Sequence, residues 1–114
     1  MIKTAHKIIT GLIIVLGLVH VFVTFIDYDE FSLRALWFAS AGVAIILAGF
    51  LNIILLRDTG KDKLVWVLCL ITNVTFVVMF AAALLLMKQP QVFFGVALFA
   101  AGAITAFLIP RTKT

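Results

Sequence analysis

The feature that most constrains this chain is a set of four apolar stretches, none of which contains a charged residue. They cover residues 8–26, 35–56, 64–87 and 91–109. A helix needs about 20 apolar residues to cross the hydrocarbon core of a bilayer, since each residue advances the helix by only about 1.5 Å. The sequence therefore predicts four transmembrane helices, packed as a single domain over residues 1–114.

The composition excludes a water-soluble alternative. The chain is 65% hydrophobic and 12% charged, whereas a soluble domain is about half apolar and about a quarter charged. So short a chain cannot cover four such helices with a polar shell. The net charge of +4 does not indicate a nucleic-acid partner, because the charges are confined to short clusters between the apolar stretches. The lipid bilayer is the expected partner.

The segments between the stretches are short, which favours antiparallel neighbours and hence two helical hairpins. Seven basic residues then fall on one side of the membrane and two on the other. The seven are Lys3, Lys7, Arg57, Lys61, Lys63, Arg111 and Lys113, and the two are Arg34 and Lys88. Basic residues accumulate on the cytoplasmic side. The predicted fold is an all-α, antiparallel four-helix transmembrane bundle with both termini cytoplasmic, in a bacterial inner (plasma) membrane.

Residues at the ends of the stretches support these boundaries. Ser32 and Asp62 are predicted N-caps of the second and third helices, and Gly60 suits a turn. Pro90 fits the first turn of the fourth helix, where the missing N–H costs nothing. Pro110 is predicted to close that helix.

A stripe of polar and small residues runs along the first helix. Its members are His6, Thr10, Gly17, His20, Thr24 and Asp27, which at about 100° per residue lie within an arc of about 100°. Lipid offers polar groups no hydrogen-bond partner, so this face is expected to point into the bundle.

His20 is the strongest candidate for a functional residue in the stripe, because it lies at hydrocarbon depth. An imidazole there can relay a proton, ligate a metal or bind a haem. The alternative is that His20 hydrogen-bonds a neighbouring helix and only holds the bundle together. His6 lies about 21 Å from His20 along the helix at 1.5 Å per residue. With Lys3 and Lys7, it is expected to face the lipid headgroups.

The other helices carry two further sets of candidate residues. Asn52, Thr72, Asn73 and Thr105 form a polar set that either lines an inner cavity or joins helices by hydrogen bonds. Gly42, Gly49, Gly95 and Gly102 are predicted, with Gly17, to allow close helix packing. Gly42 and Gly49 have the same spacing as Gly95 and Gly102. A duplicated helical hairpin, in which the second pair of helices repeats the first, therefore remains an alternative. Cys69 has no partner in the chain and is expected to be a buried apolar residue.

No catalytic motif and no carboxylate occurs inside a predicted span, so no catalytic residue, metal site or enzymatic activity is predicted. The favoured function is a non-enzymatic accessory or structural membrane module that acts through helix packing. Its partner is then a second copy or another membrane protein. The alternative is a small transporter or channel with a polar path along the first helix centred on His20. A lesser alternative is a redox protein in which His20 from two protomers binds haem; otherwise no cofactor is expected.

Overall fold

The computed structural model describes residues 1–58 and 62–109. This part of the chain forms four helices and no strand: α1 (Ile2–Asp27), α2 (Leu33–Asp58), α3 (Lys63–Leu84) and α4 (Pro90–Leu108). The prediction of four helices is confirmed. The predictions made for Gly60, Lys61, Pro110, Arg111 and Lys113 lie outside the described residues.

The predicted start signals of the helices are confirmed. The Ser32 hydroxyl accepts a hydrogen bond from the Ala35 backbone N–H at 3.1 Å. The Asp62 carboxylate accepts one from the Leu64 backbone N–H at 2.9 Å. Pro90 occupies the first turn of α4. These contacts satisfy backbone donors that the first turn of a helix otherwise leaves free.

Two helix ends differ from the apolar stretches of the sequence. α1 begins at Ile2 rather than at residue 8, because polar residues such as lysine extend a helix as readily as apolar ones. α3 ends at Leu84 rather than at residue 87. The chain turns there, and the Leu86 and Met87 N–H groups both donate to the Ala83 carbonyl, at 3.0 and 2.8 Å.

The helices pack as two hairpins. α1 lies mainly against α2 and α3 mainly against α4, and smaller α1–α4 and α2–α3 interfaces join the two pairs. The bundle measures 52 × 23 × 21 Å along its principal axes. Its apolar interior includes stacked rings of Phe76 and Phe99, whose centroids are 4.6 Å apart.

Glycine allows the close approach of α1 and α2. A Cβ on Gly17 would lie 3.0 Å from the Gly42 carbonyl oxygen, and a Cβ on Gly42 would lie 3.0 Å from the Gly17 carbonyl oxygen. Gly49 packs against the Ile14 side chain, and Gly95 packs against the ring of Phe80. All five predicted packing glycines are buried, including Gly102.

The outer surface of the bundle is apolar on all four helices. Phe22 and Trp37 are each 67% exposed, Met79 is 64% exposed and Phe94 is 63% exposed. Each helix is long and apolar enough to cross a membrane. A soluble monomer rarely leaves so much large apolar surface uncovered.

Candidate functional site

Buried polar side chains from all four helices meet near the N-terminal end of α1. We call this group the polar cluster: His6 and Thr10 of α1, Asn52 of α2, Cys69 and Asn73 of α3, and Thr105 of α4. Four of these side chains are completely buried, and the most exposed, Thr105, is only 9% exposed. Polar groups buried to this degree are costly unless they bind one another.

The two asparagines of the polar cluster form a reciprocal amide pair. Asn52 Nδ2 donates to Asn73 Oδ1 at 3.0 Å, and Asn73 Nδ2 donates to Asn52 Oδ1 at 3.0 Å. Asn52 also donates to the Ala48 carbonyl at 2.8 Å, and the Cys69 thiol donates to Asn52 Oδ1 at 3.0 Å. The amide of Asn52 therefore has more partners than that of Asn73, and three hydrogen bonds link it to α3.

His6 and Thr105 join α1 to α4. His6 Nδ1 and Thr105 Oγ1 are 2.6 Å apart. The Thr105 hydroxyl is within donating distance of the Ala101 and Gly102 carbonyls, at 3.0 and 3.3 Å. When its single proton is directed to one of these carbonyls, its oxygen accepts from His6 Nδ1–H and the lone pair of the imidazole lies on Nε2.

Two atoms of the polar cluster are buried without a hydrogen-bond partner in the described part of the chain. They are His6 Nε2 and Thr10 Oγ1. His6 and Thr10 are one helical turn apart on the same face of α1, which places the two side chains next to each other. The Asn52 side chain also approaches the His6 ring, although it makes no hydrogen bond of ordinary geometry to Nε2.

Helix geometry explains why these residues meet. His6 and Thr10 are four residues apart, as are Cys69 and Asn73, so each helix presents two polar groups on one face. Nearby, the Trp66 indole N–H donates to the Ala106 carbonyl at 3.1 Å and ties α3 to α4. Hydrogen bonds within the cluster therefore cross the α1–α4 and α2–α3 seams, and the Trp66 bond crosses the α3–α4 hairpin beside it.

The other candidate residues of the α1 stripe lie apart from the polar cluster. The His20 ring is half-buried and stacks on Phe38 with a centroid distance of 4.0 Å and an interplanar angle of 16°. His20 Nε2 is buried without a hydrogen-bond partner in the described chain. Thr24 is buried, and its hydroxyl donates to the His20 carbonyl at 3.2 Å. Thr10, Gly17 and Thr24 are buried, as expected for the stripe, whereas His20 is half-buried and Asp27 at the end of the stripe is exposed.

Apolar packing separates His20 from the polar cluster. Ile13 is completely buried between them along α1. Gly17 lies one turn beyond Ile13, in its close contact with Gly42. The stripe is therefore polar at both ends but filled by side chains and backbone in its middle.

The structure places the remaining candidates as follows. Asn52, Asn73 and Thr105 come together in the polar cluster, whereas Thr72 is half-buried on the adjacent position of α3. Among the described side chains of residues 1–57 and 62–109, no three His, Cys, Asp or Glu residues are grouped so that they could hold a metal ion.

Two residues of the cluster have roles that the sequence did not reveal. The expectation that His6 faces the headgroups with Lys3 and Lys7 is wrong: His6 is completely buried, while both lysines are exposed. Adjacent lysines suggested a surface position, but the rotation of α1 turns His6 inward and them outward. The available signal was its membership of the α1 stripe. Cys69 is buried as predicted, and it also donates a hydrogen bond to Asn52.

Known proteins give no further guide to this site. Comparisons with models of protein families, with curated proteins and with solved structures find no match to the chain. The function is therefore inferred from the geometry of the bundle itself.

Proposed function

We propose that the protein is a non-enzymatic integral membrane module, an accessory or structural bundle that acts through helix packing. The membrane assignment is supported by four helices of sufficient length and apolarity and by the exposed aromatic residues on the outside of the bundle. The proposed orientation has both termini in the cytoplasm, because Lys3, Lys7 and Arg57 lie on the N-terminal side of the bundle. A bacterial inner membrane is the proposed location.

The observation that carries this proposal is the way in which the polar cluster uses its hydrogen-bonding groups. Asn52 and Asn73 hydrogen-bond to each other, and Asn52 also binds Cys69 and a backbone carbonyl. Thr105 hydrogen-bonds to His6 and lies within donating distance of backbone carbonyls. Interhelical hydrogen bonds of this kind hold membrane bundles together. A transport path needs polar groups that remain open to a passing solute, and Ile13 fills the interior between this cluster and His20.

A partner helix has room to approach on the outside of α2. The glycines that permit close packing are used within the chain, but Ser40 and Ala41 are small and exposed. Small residues on an outer face allow another helix to come near. We therefore place the partner contact, with a second copy or a different membrane protein, at Ser40 and Ala41.

Site-specific photocrosslinking in intact membranes tests the partner contact. A photoreactive side chain at Ala41 is expected to give one protein adduct of defined mass, because this face contacts a protein. The same group at Phe94, which is 63% exposed on α4, is the matched control and is expected to label lipid. Lipid labelling at both positions would refute an accessory role through this face.

The second candidate function is a proton-conducting or proton-coupled transporter. The observation that favours it is the pair of buried polar atoms, His6 Nε2 and Thr10 Oγ1, that lack partners in the described chain. An ionisable group inside a membrane bundle is a functional hypothesis by default. This version centres the path on His6 instead of His20. The haem alternative gains no support, since His20 Nε2 is buried against its own chain rather than presented to a second protomer.

A flux measurement separates the two candidates. The protein is reconstituted into vesicles that contain a pH-sensitive dye, and a pH gradient is imposed. We expect proton leakage equal to that of protein-free vesicles. Leakage that is faster in the wild type, lost in His6→Gln and retained in His20→Gln would replace the accessory role with the transporter. Glutamine keeps a hydrogen bond but does not titrate near neutral pH, so the variants remove the proton carrier without opening a cavity.

A further inference from the structure

A groove opens on the surface between α1 and α2, beside the polar cluster. Its volume is about 660 Å³, within the range of about 300–1,000 Å³ that is typical of small-molecule sites. Lys3, Lys7 and Arg57 line its end nearest the helix termini. We call it the basic groove.

The positive charge of the basic groove is not compensated within the described chain. None of its lining residues is acidic, and its three cations form no ion pair with a described side chain. Lys3 and Lys7 are one helical turn apart, so both ammonium groups project from the same face of α1. Arg57 faces them from the last turn of α2. Three cations arranged around one opening favour an anionic occupant.

The remainder of the groove is mostly apolar and, through Ile14 and Ile53, extends away from the helix termini. Gly11, Ile14, Ile53 and Leu56 line this part. A Cβ on Gly11 would meet no atom within 4 Å, so this glycine provides open space rather than helix contact. Thr10, whose buried hydroxyl oxygen lacks a partner in the described chain, also lines the groove. A free phosphate would use the cations and leave this apolar channel uncovered.

A second groove serves as an internal comparison. It lies near the start of α4 and is lined by Pro90, Phe93, Phe94 and Ala97, with Lys88 as its single cation. Its volume is about 480 Å³. An ordinary lipid chain can lie against both grooves, but only the basic groove combines an apolar channel with several cations.

We propose that the basic groove binds one anionic phospholipid. Its phosphate is held by Lys3, Lys7 and Arg57, and an acyl chain lies over Gly11 between Ile14 and Ile53. Basic pockets between helices on the cytoplasmic side of a membrane are suited to such headgroups. This inference rests on the membrane location proposed above, but it does not depend on whether the protein is an accessory module or a transporter.

Native mass spectrometry of the full-length protein in neutral detergent measures lipid binding. This measurement tests the charged end of the groove. Phosphatidylglycerol is compared with phosphatidylcholine that carries the same acyl chains. We expect tighter binding of phosphatidylglycerol, weakened about fivefold by Lys7→Gln or Arg57→Gln, since each cation near a headgroup contributes about that factor. Lys88→Gln is the matched control and is expected to leave both affinities unchanged. Equal binding of the two lipids, or equal effects of Lys7→Gln and Lys88→Gln, would overturn the proposal.

Two further experiments, a substitution and a competition, test the apolar channel. Gly11→Phe fills the channel while leaving all three cations in the chain, and it is expected to weaken binding of both lipids. Inorganic phosphate and glycerol phosphate are added as competitors, and neither is expected to displace phosphatidylglycerol at equimolar concentration. Displacement by inorganic phosphate, together with unchanged lipid binding in Gly11→Phe, would identify a phosphate site and refute the lipid site.

A membrane-insertion control separates this inference from the proposed function. Wild type and all variants are expected to remain with phosphatidylcholine vesicles after alkaline extraction. If the wild type is extracted, the membrane assignment itself fails. If it remains inserted but does not prefer the anionic lipid, only the basic groove has been misassigned. The flux and crosslinking results do not depend on whether the groove prefers the anionic lipid.

Discussion

The amide pair of the polar cluster predicts an asymmetry between two very similar substitutions. Leucine has the same number and branching of side-chain heavy atoms as asparagine but cannot form hydrogen bonds. Asn73→Leu removes the two amide–amide bonds, yet Asn52 keeps the Ala48 carbonyl as an acceptor and the Cys69 thiol as a donor. Asn52→Leu leaves Asn73 Oδ1 with no side-chain donor, and its Nδ2 with only the Cys69 sulfur at 3.9 Å.

These remaining contacts set the expected magnitudes. Interhelical hydrogen bonds in membrane bundles contribute about 0.6 kcal/mol each on average, so Asn73→Leu is expected to cost about 1 kcal/mol. A buried amide group left without a partner costs about 1–3 kcal/mol, so Asn52→Leu, which leaves such groups on Asn73, is expected to cost about 2–4 kcal/mol. Replacing both asparagines leaves no amide behind. The double variant should therefore be more stable than Asn52→Leu alone.

Reversible unfolding in mixed micelles, with increasing SDS and followed by circular dichroism, measures these free energies. Thr72→Val is the control, because Thr72 is half-buried beside Asn73 but lies outside the polar cluster. Its effect is expected to stay within about 0.5 kcal/mol. Equal costs for Asn52→Leu and Asn73→Leu, or a double variant whose cost is the sum of the two, would contradict the hydrogen-bond pattern.

Three further predictions concern the packing, His20 and the orientation. Gly17→Ala is expected to destabilise the bundle by about 1–3 kcal/mol, since the new Cβ meets backbone at 3.0 Å. Gly11→Ala on the same helix is the control and should not destabilise it. Equal stability of the two variants, measured by SDS unfolding, would argue against the α1–α2 contact. His20→Gln is expected to keep the fold, to lose about 0.5–1.5 kcal/mol of ring stacking and to leave the visible absorption spectrum unchanged; a Soret band present only in the wild type would restore the haem alternative. Asp29→Cys is expected to react with an impermeant thiol reagent from outside the cell, and Gly60→Cys is expected to react only after the membrane is opened; the opposite labelling would reverse the proposed topology.

The number of helices could be read from the sequence because hydropathy and end signals are local properties. Ser32 and Asp62 cap the helices that follow them, as predicted, and a cap depends only on residues within one turn. The α1 stripe was predictable for a similar reason. Helical periodicity fixes which side chains share a face, and Thr10, Gly17 and Thr24 indeed point inward.

The composition of the candidate site was only partly predictable. Asn52, Asn73 and Thr105 were identified as a polar set, because polar residues in an apolar helix need partners. His6 was assigned to the surface, since its neighbours Lys3 and Lys7 carry charge and the apolar stretch begins only at residue 8. A helix that extends back to Ile2 keeps the stripe in register for one more turn, and that turn carries His6 into the interior.

The sequence by itself determined that this chain forms four apolar helices and that α1 has one polar face. Only the tertiary structure decided which residues on these faces meet. The pairing of Asn52 with Asn73, and of His6 with Thr105, depends on how far each helix is rotated and shifted along its neighbour. Those offsets arise from close contacts such as that between Gly17 and Gly42, which join residues far apart in the chain. Hydropathy and periodicity describe one helix at a time and therefore carry no information about such contacts.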